Sequence, residues 1–228
     1  MKDIKHIFFD LDHTLWDYDR SAEETLSEIF QELELALSGL TLPKFIDTFY
    51  TVNSKLWVKY NEGLIDREYI KKERFNEIFA KSGVDPSHSK NASSYFLNNC
   101  SLKPYLMDDA LTALNYLEGR YELHIITNGF LDAQTRKLSS SGIEKYFNVM
   151  VTSECADARK PSPEIFEHSL EKANASRDNS IMIGDNARTD IHGAKEFGMK
   201  SVFYDPSGRK KSLADYTIQS HMELLKLF

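Results

Sequence analysis

Cysteine is almost missing from this chain: two residues in 228, Cys100 and Cys155, far apart and in no CxxC pair. That excludes a disulfide framework and a thiolate zinc site, and it points to a reducing compartment. Histidine occurs seven times but never in HExxH spacing, so no zinc-protease helix is present. Apolar runs are short, and none nears the roughly 20 residues that a membrane-crossing helix needs. The N-terminus enters an apolar strand without a charged-then-apolar leader, so a cytoplasmic protein is expected. Basic charge is not in excess either. With 28 Lys and Arg against 35 Asp and Glu, the formal net charge is −7, which argues against nucleic acid or an anionic membrane as partner. The one basic cluster, Arg209-Lys210-Lys211, follows Pro206-Ser207-Gly208 and reads as a solvated loop. Repeats and low-complexity segments are lacking too.

What the chain does have is two textures. Residues 4–9 form an apolar run suited to a buried strand. From about residue 20 to 94 the pattern is charged and helical in period, with Glu23, Glu24, Glu28, Glu32 and Glu34 interleaved with Leu26, Ile29, Phe30 and Leu33. A second helix carries Phe45, Phe49, Val52 and Leu56, and a third over 69–81 is ended by Gly83. After Pro104 strands and helices alternate. The order is helix 108–118, strand 123–126, helix 133–140, strand 149–152, a helix opened by Ser162-Pro163, strand 180–183, helix 190–197, then strands 201–204 and 216–218. Such alternation predicts an α/β fold: a doubly wound, mostly parallel, Rossmann-like sheet with a helical module inserted after the first strand. The expected division is a core of 1–16 and 99–228 and a helical module of 17–98.

In sheets of this kind ligands gather beyond the carboxyl ends of the strands, and the reactive side chains fall there. Asp10 and Asp12 follow Ile7-Phe8-Phe9, two positions apart and so on one face. Thr127 and Asn128 follow the next strand, Lys160 stands in a loop before Pro161, and Asp185 leaves its strand through Gly184 with Asp190 beyond. Carboxylates, a hydroxyl and an ammonium in this order read as a phosphate-handling metal site. Phosphoryl transfer needs an in-line nucleophile, neutralised phosphoryl oxygens and a proton for the leaving group. Asp10 is expected to be the nucleophile, forming an aspartyl-phosphate. Asp12 is expected to protonate the leaving oxygen and then activate water. Thr127 donates its hydroxyl to a phosphoryl oxygen, with the backbone N–H groups of Asn128 and Gly129 as further donors. Lys160 supplies a compact positive charge. A Mg²⁺ ion suits Asp10, the backbone carbonyl of Asp12, and Asp185, because a hard cation takes few carboxylates plus water and phosphate oxygens. Asp190 has three readings: support behind the metal ligands, a partner for Lys160, or a helix N-terminal carboxylate favoured by the dipole.

Taken in order, Asp10-Leu11-Asp12-His13-Thr14-Leu15, Thr127-Asn128, Lys160-Pro161 and Gly184-Asp185 through Asp190 resemble the four motifs of the haloacid dehalogenase (HAD) superfamily phosphatases. The resemblance implies a HAD-like core, a mobile helical cap at the position of the insert, and Mg²⁺-dependent hydrolysis of a small phosphorylated metabolite. Leu15-Trp16-Asp17-Tyr18-Asp19, the segment 52–63 and Ile126-Thr127-Asn128-Gly129-Phe130 are similar to the bacterial pyrimidine 5′-nucleotidases of that superfamily, with Trp16 at a more usual phenylalanine-like position. Pyrimidine nucleoside monophosphates are then the implied substrates. Tyr18 and Trp57 offer flat faces to the ring and Asn53 an amide to its edge. Phe45, Phe49, Trp57 and Tyr60 also have the spacing of a module core. A dehalogenase would need no acid at Asp12. A phosphomutase or a sugar-phosphate phosphatase would keep every core motif. A non-catalytic regulatory protein on this fold would be expected to have lost one, and none is lost.

Overall fold

The first apolar run becomes strand β1 (His6–Phe9), in which Ile7, Phe8 and Phe9 are fully buried. A strand that is apolar on both faces belongs in the middle of a parallel sheet covered by helices. In the structure, a computed structural model that describes residues 3–228, β1 has that place. The other strands are β2 (Glu122–Thr127), β3 (Phe147–Thr152), β4 (Ser180–Gly184), β5 (Lys200–Tyr204) and β6 (Tyr216–Ile218). They pair in the order β3-β2-β1-β4-β5-β6, every pairing parallel. Phe9 lies opposite Ile125 on β2 and Ile183 on β4. The residues just beyond all three strands therefore reach one edge. The winding reverses between β1 and β4, which is where such sheets open a crevice.

The chain divides into two compact units: the segment through Tyr18 with Pro104–Phe228, and Asp19–Lys103. The helical unit is built from α1 (Tyr18–Glu32, whose first residue belongs to the other unit), α2 (Leu42–Asn61), α3 (Arg67–Ser82) and α4 (Ser89–Asn99). Pro43 occupies the first turn of α2, Asp66 caps α3 by accepting from the Tyr69 N–H at 2.8 Å, and Gly83 ends α3 at a φ of 69°. Phe45, Phe49, Phe75, Phe79 and Phe96 meet in its core, with ring centroids 5.1 Å apart for Phe49 and Phe96 and 6.1 Å for Phe45 and Phe79. The expected boundaries lie slightly earlier than the observed ones. Helix α4 runs on to Asn99, and Lys103 is tied back by ion pairs to Glu24 at 2.6 Å and Glu28 at 2.5 Å.

The α/β unit carries α5 (Ala110–Leu117), α6 (Leu131–Ser140), α7 (Ser153–Ala156), α8 (Pro163–Ala173), α9 (Gly193–Phe197) and α10 (Leu224–Leu227). Ile165, Phe166, Leu170, Ala194 and Phe197 from α8 and α9 pack on Phe8, Ile126, Val151 and Met182 of the sheet. The helix expected over 190–197 begins earlier. Residues Ala187–His192 form a turn wound wider than an α-helix, capped by Asn186, whose Oδ1 accepts from the Arg188 and Thr189 N–H groups at 3.0 Å. Such turns often mark functional positions. Among the described residues no helix is long and apolar enough to cross a membrane.

Candidate active site

Lys160 is 1% exposed, and its ammonium is saturated. It donates to Asp10 Oδ1 at 2.6 Å and to the Ile126 carbonyl at 2.7 Å, and it pairs with Asp190 Oδ1 at 2.7 Å. The loop that carries it is fixed by Asn128, whose Oδ1 accepts from the Lys160 N–H at 2.8 Å and whose Nδ2 donates to the Lys160 carbonyl at 2.9 Å. Asn128, expected at the substrate, thus has its side chain engaged in placing Lys160. Asp190 is 1% exposed and uses its second oxygen on the Asn186 N–H at 3.0 Å. Gly184 makes this approach possible, since a Cβ there would collide with the Asp190 carboxylate.

Asp10, Asp185 and Asp190 bring carboxylate oxygens within 4.8 Å of one another, so three carboxylates face one ammonium. Burial pushes the Asp10 carboxyl up to about 8; Lys160 opposes the rise, and Asp190 and Asp185 add to it. Burial likewise raises Asp185 to about 7, with Asp190 adding to the rise. Burial works against the Lys160 charge, but Asp10 and Asp190 outweigh it and hold the ammonium above its ordinary value. The negative charge of the cluster is therefore under-compensated, and the donors are all oxygen. This set fits a hard divalent cation rather than a thiolate- or imidazole-seeking metal. Thr14, not anticipated, bridges the two sides: its hydroxyl accepts from the Asp185 N–H at 3.1 Å and faces Asp185 Oδ1 at 3.4 Å and Asp10 Oδ2 at 3.5 Å.

Thr127 ends β2 beside this cluster. Its hydroxyl accepts from the Gly129 N–H at 3.0 Å and from Gln134 Nε2 at 2.7 Å. Two donors fill both acceptor positions of a hydroxyl and leave its O–H to donate outward. The Gly129 N–H, anticipated as a donor to phosphate, is used here. Gln134 Nε2 also donates to Asp12 Oδ2 at 3.0 Å, and Lys137 Nζ reaches Asp12 Oδ1 at 2.6 Å and Oδ2 at 2.9 Å. Neither Gln134 nor Lys137 was anticipated. Three apart on the helix that follows Thr127-Asn128, they share one face of it.

Tyr18 lies in the α/β unit, its ring 5.0 Å from that of His13 and 6.3 Å from that of Trp16. Asn53 and Trp57 lie in the helical unit one turn apart on α2, and so share a face of that helix. Trp57 packs edge-on to Tyr60 at 5.3 Å, whereas Phe45, Phe49 and Tyr60 are buried.

A six-stranded parallel sheet gathers three carboxylates and a buried lysine at its switch point, a place where α/β folds of this winding bind ligands. The haloacid dehalogenase-like hydrolase model matches residues 4–198. The Escherichia coli K12 pyrimidine 5′-nucleotidase YjjG is 31% identical over 97% of this chain and 96% of its own length. The Streptococcus pneumoniae R6 pyrimidine 5′-nucleotidase PynA is 28% identical over 97% of this chain and 93% of its own. A magnesium-bound crystal structure of the Bacillus subtilis HAD-hydrolase YfnB superposes with a TM-score of 0.89 at 24% identity, covering 98% of each chain. The chain belongs to the haloacid dehalogenase-like hydrolase family. It is an enzyme of the hydrolase class.

Proposed function

We propose that this hydrolase is a Mg²⁺-dependent phosphatase acting through an aspartyl-phosphate on Asp10, with pyrimidine nucleoside 5′-monophosphates as substrates. The observation that carries the chemistry is the buried Lys160 holding Asp10 Oδ1 at 2.6 Å while Asp185 and Asp190 crowd the same point. Lys160 orients Asp10 and sets a positive charge behind the incoming phosphoryl group. Thr127 turns its remaining O–H to a phosphoryl oxygen. Asp10 attacks phosphorus, and the ester oxygen leaves with a proton from Asp12. Asp12, now a carboxylate, takes a proton from the water that opens the aspartyl-phosphate, so one carboxyl serves both halves and ends as it began. Asp10, Asp185 and the Asp12 carbonyl would hold the ion, which supplies charge neutralisation for the phosphoryl oxygens. Asp190 stands behind these ligands, since its two oxygens are bonded to Lys160 and the Asn186 N–H.

The substrate reading draws on the two nucleotidase relatives, whose alignments span nearly the whole chain. The phosphate chemistry is blind to the rest of the ester, so selectivity has to come from groups outside it. Tyr18 of the α/β unit and Asn53 and Trp57 of the helical unit are the candidates. The test is phosphate release with Mg²⁺ from uridine and thymidine monophosphates, adenosine monophosphate, a hexose phosphate and p-nitrophenyl phosphate. The expected result is a kcat/KM for the pyrimidine nucleotides at least about 10-fold above the others, about 1.4 kcal/mol. Equal constants on all of them leave a generic phosphatase, and a hexose phosphate at the top puts the enzyme among sugar-phosphate phosphatases.

A further inference from the structure

The Asp12 side chain is bound by three hydrogen bonds that all start from α6. Lys137 Nζ reaches both oxygens, at 2.6 and 2.9 Å, and Gln134 Nε2 reaches Oδ2 at 3.0 Å. Both donors are deeply buried, Gln134 at 0% exposure and Lys137 at 7%. A helix that buries a lysine and a glutamine gives up apolar packing at two positions, so these side chains are held in place by what they bind. The Lys137 ammonium also sits over the Trp16 ring at 4.7 Å and the Tyr18 ring at 5.9 Å, where the aromatic faces offset its desolvation. The Gln134 amide nitrogen faces Asp12 Oδ2 at 3.0 Å, and the same nitrogen spends its other hydrogen on Thr127 Oγ1 at 2.7 Å. Gly129 leaves room for that amide, because a Cβ there would collide with it.

Resting on the phosphatase reading above, we propose that Lys137, together with Gln134, is the positioning residue for Asp12. The pair fixes the carboxyl that passes the proton to the leaving group and couples it to Thr127, so that phosphate anchor and proton carrier move as one hydrogen-bonded unit. Asp12 extends from a loop and has two free torsions. Without the clamp it would populate several rotamers, most of them unproductive. The Lys137 ammonium is engaged by both Asp12 oxygens and by the Trp16 and Tyr18 rings, so phosphate affinity is expected to be independent of it.

The test is a double-mutant cycle on Asp12 and Lys137. Lys137→Met should lower kcat roughly 10- to 100-fold, a share of what a general acid–base supplies. KM and the inhibition constant for inorganic phosphate should stay within about 3-fold, and Lys137→Arg should recover most of the rate, since a guanidinium can reach both carboxylate oxygens. In the Asp12→Asn background the same Lys137→Met change should cost no more than about 2-fold, because a residue that acts only through Asp12 has nothing left to act on. Additive losses, or a phosphate inhibition constant that rises in step with the loss of kcat, overturn the proposal and make Lys137 a phosphate contact or a structural residue. Should Lys137→Met fail to fold, Lys137→Gln, which keeps a donor and loses the charge, runs the same cycle. Wild-type enzyme that releases no phosphate from any ester in the panel overturns the phosphatase reading itself, an outcome distinct from additivity in an active enzyme.

Discussion

Asp10 is a carboxyl whose ionised form the fold disfavours. Burial raises its carboxyl to about 8, and its neighbours Asp190 and Asp185 work in the same direction. Asp10→Asn keeps the shape and an oxygen that can still accept from Lys160, while removing a buried negative charge that the metal-free cluster compensates poorly. The expected outcome is phosphate release below detection together with a metal-free melting temperature at pH 8 equal to or above that of the wild type. A variant that melts several degrees lower shows that the carboxylate stabilises the fold instead. At this scale much of the candidate cluster was legible. Asp10 and Asp12 follow an apolar strand, Asp185 leaves one through glycine, and Lys160 precedes a proline, so each stands where the period breaks. Gln134 and Lys137 were not legible, for a physical reason. They lie inside a regular helix, and a helical pattern does not tell which polar side chains turn inward until a partner such as Asp12 is placed against them. Thr14 was hidden inside a quoted motif, its role set by Asp185, 171 residues away.

At the scale of elements, the end of β4 and the wide turn after it act together. Gly184 lets the Asp190 carboxylate lie against the backbone, and the turn Ala187–His192, capped by Asn186, directs Asp190 back to Lys160. Gly184→Ala forces that carboxylate away and leaves Lys160 short of one partner. The expected cost is about 1–3 kcal/mol, the range for overpacking a filled site, read from urea denaturation, with a loss of kcat from the same protein. Wild-type stability and rate in this variant would mean that Asp190 is not fixed by the close approach. The need for glycine here is readable from sequence as a close approach of some kind. Its counterpart is not, because the apolar period of the following helix emerges only from about Asp190 and says nothing of a wider turn before it. The strands were read within one or two residues, since each is a short apolar run closed by a loop, and β1 alone starts later than its run because His6 opens the pairing.

At the scale of the whole molecule, sequence texture separated an all-helical stretch from an alternating one, and the two compact units follow that change. Substrate choice was not legible, since an aromatic stripe at helical spacing serves a module core and a ligand face alike. A metal on the proposed site, in competition with protons, would by contrast leave a signature in the stability of the whole chain. In the folded protein Asp10 titrates at about 8 and Asp185 at about 7, against an ordinary 3.8. Above pH 3.8 the unfolded chain gives up these two protons while the folded protein keeps them, so the folded state binds more protons across that window. Stability from this pair is then greatest at acid pH and declines as pH rises towards 8. Lys160, raised above its ordinary value, contributes throughout that window and loses its share only at higher pH. A divalent cation binds the deprotonated carboxylates and competes with the protons, so its stabilisation must grow as the metal-free protein weakens. The expected outcome is a rise in melting temperature on saturating Mg²⁺ that is larger at pH 8 than at pH 5.5 and is lost in Asp185→Asn. Thermal melts with Mg²⁺ and with chelator at the two pH values decide it: a gain that is independent of pH, or one that survives Asp185→Asn, places the ion somewhere other than on Asp10 and Asp185.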